Sequence, residues 1–157
     1  MIAFLLPWLI VQSSPGSLWP DADWIEWIGL GVGVAGLAEL LECFARFALQ
    51  GEGTPAPVAP TKHLVVTGPY RHVRNPMYVA VVAIILGWAL WSGSPAAFLY
   101  AAVVWLSFTL FVLVYEEPTL RGTFGKQYET YCANVGRWIP RLSPWMPQER
   151  PQGPPGV

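Results

Sequence analysis

The sequence predicts an all-α integral membrane bundle of about four spans, and three observations carry that expectation. Of 157 residues, 54% are hydrophobic and only 12% charged, a composition too apolar for an ordinary soluble domain. No charged residue occurs from Asn75 through Tyr115, whereas a helix needs only roughly 20 apolar residues to cross the hydrocarbon. The Lys and Arg residues gather at one set of segment ends: Arg46, Lys62, Arg71 and Arg74 flank one loop, and Lys126, Arg137 and Arg141 follow the last apolar run.

Taken in order, Ile2 to Val11 is apolar but short and carries Pro7, so it reads as a weak first span placed at 2–19. A cleavable signal peptide is the rival, but the segment lacks the basic n-region such peptides carry. The second span is 24–49, with Gly29, Gly33 and Gly36 on one helical face, where small residues let backbones approach. Ser92-Gly93-Ser94-Pro95 supplies turn residues in the middle of the charge-free stretch. It divides that stretch into spans at 76–91 and 96–115, a helical hairpin.

Between the second and third spans, the loop 50–75 carries Pro55, Pro57, Pro60 and Pro69, which forbid regular helix and favour extended chain. Its apolar Leu64-Val65-Val66 patch is expected to rest on the membrane surface or on the bundle. Beyond the last span, Leu120, Phe124, Tyr128, Tyr131 and Val135 recur at helical spacing opposite Lys126, Gln127, Glu129 and Asn134. This predicts a cytoplasmic amphipathic helix over 117–135, for which anchorage on the bilayer interface is the alternative role. Residues 1–145 form one membrane-embedded domain, and 146–157 a Pro-rich flexible tail.

The basic ends belong in the cytoplasm. Asp21, Asp23, Glu26 and the uncharged Ser92 turn then lie outside, and four spans place both termini inside. With a formal net charge of −1 and no basic run, a nucleic-acid partner is not expected. Two cysteines without CxxC spacing or histidine companions give neither a disulfide framework nor a metal site.

Glu116 and Glu117 stand where the last span leaves the membrane, a depth at which adjacent carboxylates are costly without a partner. On a helix they point about 100° apart, so one faces a ligand while the other pairs elsewhere. If the hairpin returns beside its start, Arg71, Arg74, Asn75 and Tyr78 meet them. Such a set suits a ligand with a carboxylate, an ammonium and hydroxyls. Within the second span Glu42 has an i,i+4 partner in Arg46, but Glu39 has none; it lines an acceptor channel or pairs with another span.

Three segments, GTPAPVAPTKHLVVTGPYRHVRNPMY, EEPTLRGTFGKQYETY and VGRWIPR, in this order around a helical hairpin, resemble the isoprenylcysteine carboxyl methyltransferase and phospholipid methyltransferase superfamily over roughly residues 51–141. The resemblance implies an S-adenosylmethionine pocket, not of Rossmann type, that opens laterally to a lipophilic acceptor in the bilayer. Carried over by position, the cofactor-binding residues are His63, Leu64, Val65, Val66, Gly68, Tyr70, Arg74, Asn75, Pro76, Tyr78, Glu116 and Glu117. Glu117 and Arg137 are the candidates at the reacting centre.

Many members read Arg-His-Pro-x-Tyr where this chain has Arg74-Asn75-Pro76-Met77-Tyr78, and Asn75 excludes any role for a protonated ring there. The two histidines present, His63 and His72, have loop positions, with a plain surface role expected of His72. The acceptor stays open among a prenylcysteine-type carboxylate, a phospholipid amine and a small apolar thiol. An amine or thiol must lose a proton before attack, with Glu117 or a tyrosine to assist. The alternatives are an NADPH-dependent reductase, since sterol reductases resemble this superfamily, and a non-catalytic lipid-binding protein. The oligomeric state is open, because the Gly29 face could pack within or between chains.

Overall fold

The computed structural model describes residues 2–13, 18, 19, 23–50, 64 and 66–146, with the backbone alone at 47–50. Among them it is all-helical and contains no strand. The helices are α1 (Leu5–Ser13), α2 (Asp23–Gln50), α3 (Pro76–Ser92), α4 (Pro95–Phe111), α5 (Glu117–Phe124) and α6 (Lys126–Asn134). Two helical stretches, Asp23–Arg46 and Pro95–Phe124, are long and apolar enough to cross a membrane, and α3 is apolar but shorter. Trp24, Trp27, Val34 and Leu41 on α2 and Leu99, Val103, Leu106 and Leu110 on α4 are exposed. Outward apolar faces on this scale are stable in lipid rather than in water.

The expected hairpin is present, and its turn follows from its residues. Gly93 closes α3 with φ 62°, a left-handed conformation that costs glycine nothing. Ser94 Oγ caps α4 by accepting from the Ala97 N–H at 3.4 Å, and Pro95 fits the first helical position. The glycine face of α2 packs within the chain, against α3. A Cβ on Gly29 would lie 2.5 Å from the Trp91 nitrogen, and one on Gly87 2.7 Å from the Gly29 oxygen.

The first span departs from expectation. α1 has nine residues, about 14 Å of helix, under half of the roughly 30 Å hydrocarbon thickness. Its two ends lie on the same half of the bundle: the Ile2 carbonyl accepts from Tyr100 Oη at 3.1 Å, and Leu18 N–H donates to Gly93 O at 2.9 Å. An apolar run of ten residues is too short to reach further.

The C-terminal helix is also corrected. In place of one helix over 117–135 there are two, α5 and α6, hinged at Gly125, whose φ 49° and ψ −125° stop the helix. The apolar face holds across the hinge: Tyr128, Tyr131 and Val135 are buried with Val66, and Leu64, Leu120, Phe124 and Trp145 pack against them. The Leu64 and Val66 part of the loop patch thus rests on α6. Val65, most of the loop and the tail beyond Met146 lie outside the described residues.

Tyr131 ties this layer to the loop by donating from its hydroxyl to the Tyr70 carbonyl at 2.6 Å. Tyr131→Phe leaves that carbonyl without the donor and is expected to cost about 1 kcal/mol. Thermal unfolding in detergent measures the loss.

Candidate functional site

The site forms where the 95–124 helix changes its pitch. Pro118 has no N–H to donate to the Val114 carbonyl, and its ring would clash there. The helix widens into a π turn over Val112–Glu116, closed by the Glu117 N–H on Val112 O. A π turn advances the side-chain phase and recurs at functional sites. Here it leaves Tyr115 exposed and turns Glu117 inward, 5% exposed.

The two acids diverge as expected. Glu116 Oε2 accepts from the Tyr78 hydroxyl at 3.0 Å. Glu117 is clamped: Oε1 accepts from Arg137 Nε at 2.6 Å and Arg74 Nη1 at 3.1 Å, and Oε2 from Arg137 Nη2 at 3.0 Å. Arg121, one turn on, stands 3.9 Å from Oε2. Bidentate pairing with Arg is among the strongest charge-assisted contacts, and it holds Glu117 as an anion. Glu117 therefore organises charge: arginines take three of its roughly four lone-pair sites, an arrangement that favours a structural anion over the expected base.

Backbone pairing brings Arg137 to this place. Val73 bridges Gly136, Arg74 N–H donates to Gly136 O at 2.9 Å, Arg141 N–H to His72 O at 2.9 Å, and Trp145 N–H to Arg71 O at 3.0 Å. Asn75 completes the stitching by donating Nδ2–H to the Arg137 carbonyl at 3.1 Å. A neutral amide is sufficient for that task, which is what the departure from histidine leaves possible. The hydrogen bond to Glu117 raises the Arg137 pKa, while burial pushes the Tyr70 and Tyr131 phenols up, so both phenols stay neutral.

The structure thus gathers Arg74, Asn75, Tyr78, Glu116, Glu117 and Arg137. Leu64 and Val66 belong instead to the apolar layer under α6, and His63 and Val65 lie outside the described residues. Tyr70 contributes its carbonyl to Tyr131. Gly68 (φ 52°) has the Arg46 guanidinium where a Cβ would stand. Gly68 and Pro76 face a cavity of about 610 Å³ on the α2 side, lined also by Glu39, Glu42, Arg46, Arg71 and His72.

Sequence reasoning missed three members. Cys132 Sγ lies 2.7 Å from Arg74 Nη1. Trp138 packs at a tilt against Trp105 and edge-on to Tyr78, 4.5 and 6.5 Å between centroids, walling the site toward α4. Arg121 was legible as the i,i+4 partner of Glu117, and Trp138 as the aromatic beside Arg137 in VGRWIPR. Nothing in the sequence marks Cys132.

Membrane-length helices that bring an ion-clamped acid and the 68–75 segment to one end define a membrane-embedded helical protein with a polar site at its boundary. Residues 27–127 match the phospholipid methyltransferase family, and the chain belongs to that family. The matched stretch holds Arg74, Asn75, Tyr78, Glu116 and Glu117, with Arg137 beyond it. The chain is also similar to an uncharacterized protein of Haemophilus influenzae, 35% identical over 63 residues that make up 40% of this chain and 100% of that protein. No solved structure matches it.

Proposed function

We propose that this chain is a membrane-embedded methyltransferase that uses S-adenosylmethionine and acts on a lipophilic acceptor reached from the bilayer. The observation that carries the reading is the Arg74, Glu117 and Arg137 cluster, placed at the end of the hairpin in a chain of the phospholipid methyltransferase family. The residues fit such a donor on a structural ground: Arg74 Nε is buried and has no hydrogen-bond partner among the described residues. An orphaned guanidinium N–H costs about 1–3 kcal/mol or more until an acceptor reaches it, and a ligand carboxylate supplies one.

Arg74 would hold the carboxylate of the donor's amino-acid end, Glu116 its ammonium or ribose hydroxyls, and Tyr78 and Trp138 its apolar faces. The donor supplies an activated methyl group on a sulfonium. The chain's own contribution is to align donor and acceptor and to keep water from between them. Glu117 and Arg137 serve this by fixing the C-terminal segment and Arg74 in one arrangement.

In the same reading α2, α3 and α4 cross the membrane, α1 enters only its outer half, and the Glu117 site faces the cytoplasm by the distribution of Lys and Arg. An impermeant thiol reagent on sealed right-side-out vesicles is expected to label Ser92→Cys and to spare Gly122→Cys. The reverse pattern would invert the topology. Catalysis is tested by incubating the purified protein with methyl-labelled S-adenosylmethionine and a total lipid extract. Label is expected in the organic phase, and equal counts with and without protein would sink the proposal.

A further inference from the structure

The cavity of about 610 Å³ lies on the α2 side of the 68–76 segment and is lined by Glu39, Glu42, Arg46, Arg71 and His72 together with Val79 and several prolines. It belongs to none of the contacts around Glu117. Its charged groups are unequally committed. Glu42 is spent on Arg46, at 2.6 Å. Arg71 donates Nε–H to the Val66 carbonyl at 3.3 Å and has no carboxylate partner among the described residues. Glu39 is half-buried in a membrane-length helix, lines the cavity together with His72, Glu42 and Arg46, and has no hydrogen-bond partner among the described residues.

His72 is the informative member. Its Nδ1 lies 2.8 Å from the Arg141 carbonyl oxygen. A carbonyl can only accept, so Nδ1 carries the proton, and in the neutral ring the lone pair is left on Nε2. No group among the described residues engages Nε2. The expected surface histidine is instead half-buried in a cavity wall, with its tautomer set by a backbone contact. That is how a base is oriented.

We propose that this cavity receives the polar head of the methyl acceptor and that Nε2 of His72 removes its proton, with Glu39 holding the head by a second hydrogen bond. The inference rests on the methyltransferase reading given above. It selects the acceptor class: a nucleophile that arrives with its own proton, an ammonium or a thiol, is matched by Nε2 and the Glu39 carboxylate, whereas a carboxylate head brings no proton for Nε2 to remove and would turn to Arg71 instead. In the reaction the acceptor's N–H or S–H bond breaks and its proton passes to Nε2. The freed pair forms the new bond to the methyl carbon, while the pair of the breaking S–C bond stays on the donor's sulfur. Histidinium then returns its proton to water. The groups facing His72 are Glu39, Glu42 and Arg46 from α2, Arg71 on its own segment, and the Arg141 carbonyl of the C-terminal segment.

The chain has two histidines, so ¹⁵N-imidazole labelling of the full-length wild type in detergent gives two rings, and the one missing from His72→Asn is that of His72. The expected spectrum is the Nδ1-protonated tautomer, whose Nε2 resonance moves on addition of octylammonium or octanethiol but not of octanoate. Glu39→Gln is expected to weaken the octylammonium response about tenfold. An Nε2-protonated ring, or a response to octanoate alone, would overturn the assignment.

His72→Asn keeps a donor for the Arg141 carbonyl and removes Nε2. It is expected to bind S-adenosylhomocysteine as the wild type does while transfer of label to lipid falls about 100-fold. Unchanged transfer would also overturn the inference. Failure of the wild type to bind S-adenosylhomocysteine would instead strike the methyltransferase reading, which the imidazole spectra do not address.

Discussion

Glu117→Ala is expected to lose roughly 3–5 kcal/mol of stability, because it leaves the guanidinium groups of Arg74 and Arg137 facing each other without their shared anion. The Arg74 side chain is 10% exposed and that of Glu117 7%, so solvent replaces little of what is removed. Arg137 at 32% can turn partly outward, which holds the loss to the lower end of that range. The same change frees the 135–145 segment from one of its anchors and is expected to abolish nucleoside binding. Thermal unfolding in detergent reads the first effect and calorimetry the second. A loss below about 1 kcal/mol would place the cluster in solvent, where ion pairs are worth that little. Glu117→Gln, which keeps acceptor and shape, is expected to fall between.

Gly87→Leu is expected to be the most damaging substitution in the spans. The added Cβ would stand 2.7 Å from the oxygen of Gly29 and from the backbone nitrogen and Cα of Gly33. These are backbone atoms that cannot turn aside, so α2 and α3 must separate along their seam. The cost is at or above the roughly 3 kcal/mol upper end for overpacking, read as loss of monodisperse protein on extraction. Gly31→Leu is the matched control, since nothing lies within 4 Å of a Cβ there, and it is expected to be tolerated. Equal behaviour of the two variants would contradict the close α2–α3 packing.

What was legible in the sequence was whatever a local pattern determines. The charge-free stretch with Ser92-Gly93-Ser94-Pro95 at its centre set the hairpin, because hydropathy and turn chemistry agree there. The divergence of Glu116 and Glu117 followed from helical geometry alone, and their meeting with Arg74 and Tyr78 followed from the hairpin's return; Arg71, expected beside them, instead donates to the Val66 carbonyl and lines the α2-side cavity. The reading failed where length or a single residue decides. Ile2 to Val11 looked like a span until its nine-residue helix was measured against the hydrocarbon thickness. The helix expected over 117–135 breaks at Gly125, for which the periodicity of Leu120 to Val135 has no symbol, although the glycine itself was a warning.

Non-local pairing was the least visible part. Cys132 beside Arg74, Trp138 against Trp105, and the Arg141 carbonyl that orients His72 all depend on the C-terminal segment returning to the 71–75 backbone. No spacing within either segment encodes that return. The VGRWIPR wording was read as placing Arg137 near the reacting centre, but the reason for its reach, a bridge from Gly136 to Val73 with Asn75 on the Arg137 carbonyl, is a property of the fold.

The central claim, a nucleoside methyl-donor site built on Arg74, Glu116 and Glu117, is tested most directly by titrating S-adenosylhomocysteine into the detergent-solubilised wild-type chain in a calorimeter, with NADPH in a parallel cell. Saturable binding of S-adenosylhomocysteine that Glu117→Ala removes, with no heat from NADPH, is the predicted result. Binding of NADPH alone, or of neither nucleotide, would contradict it.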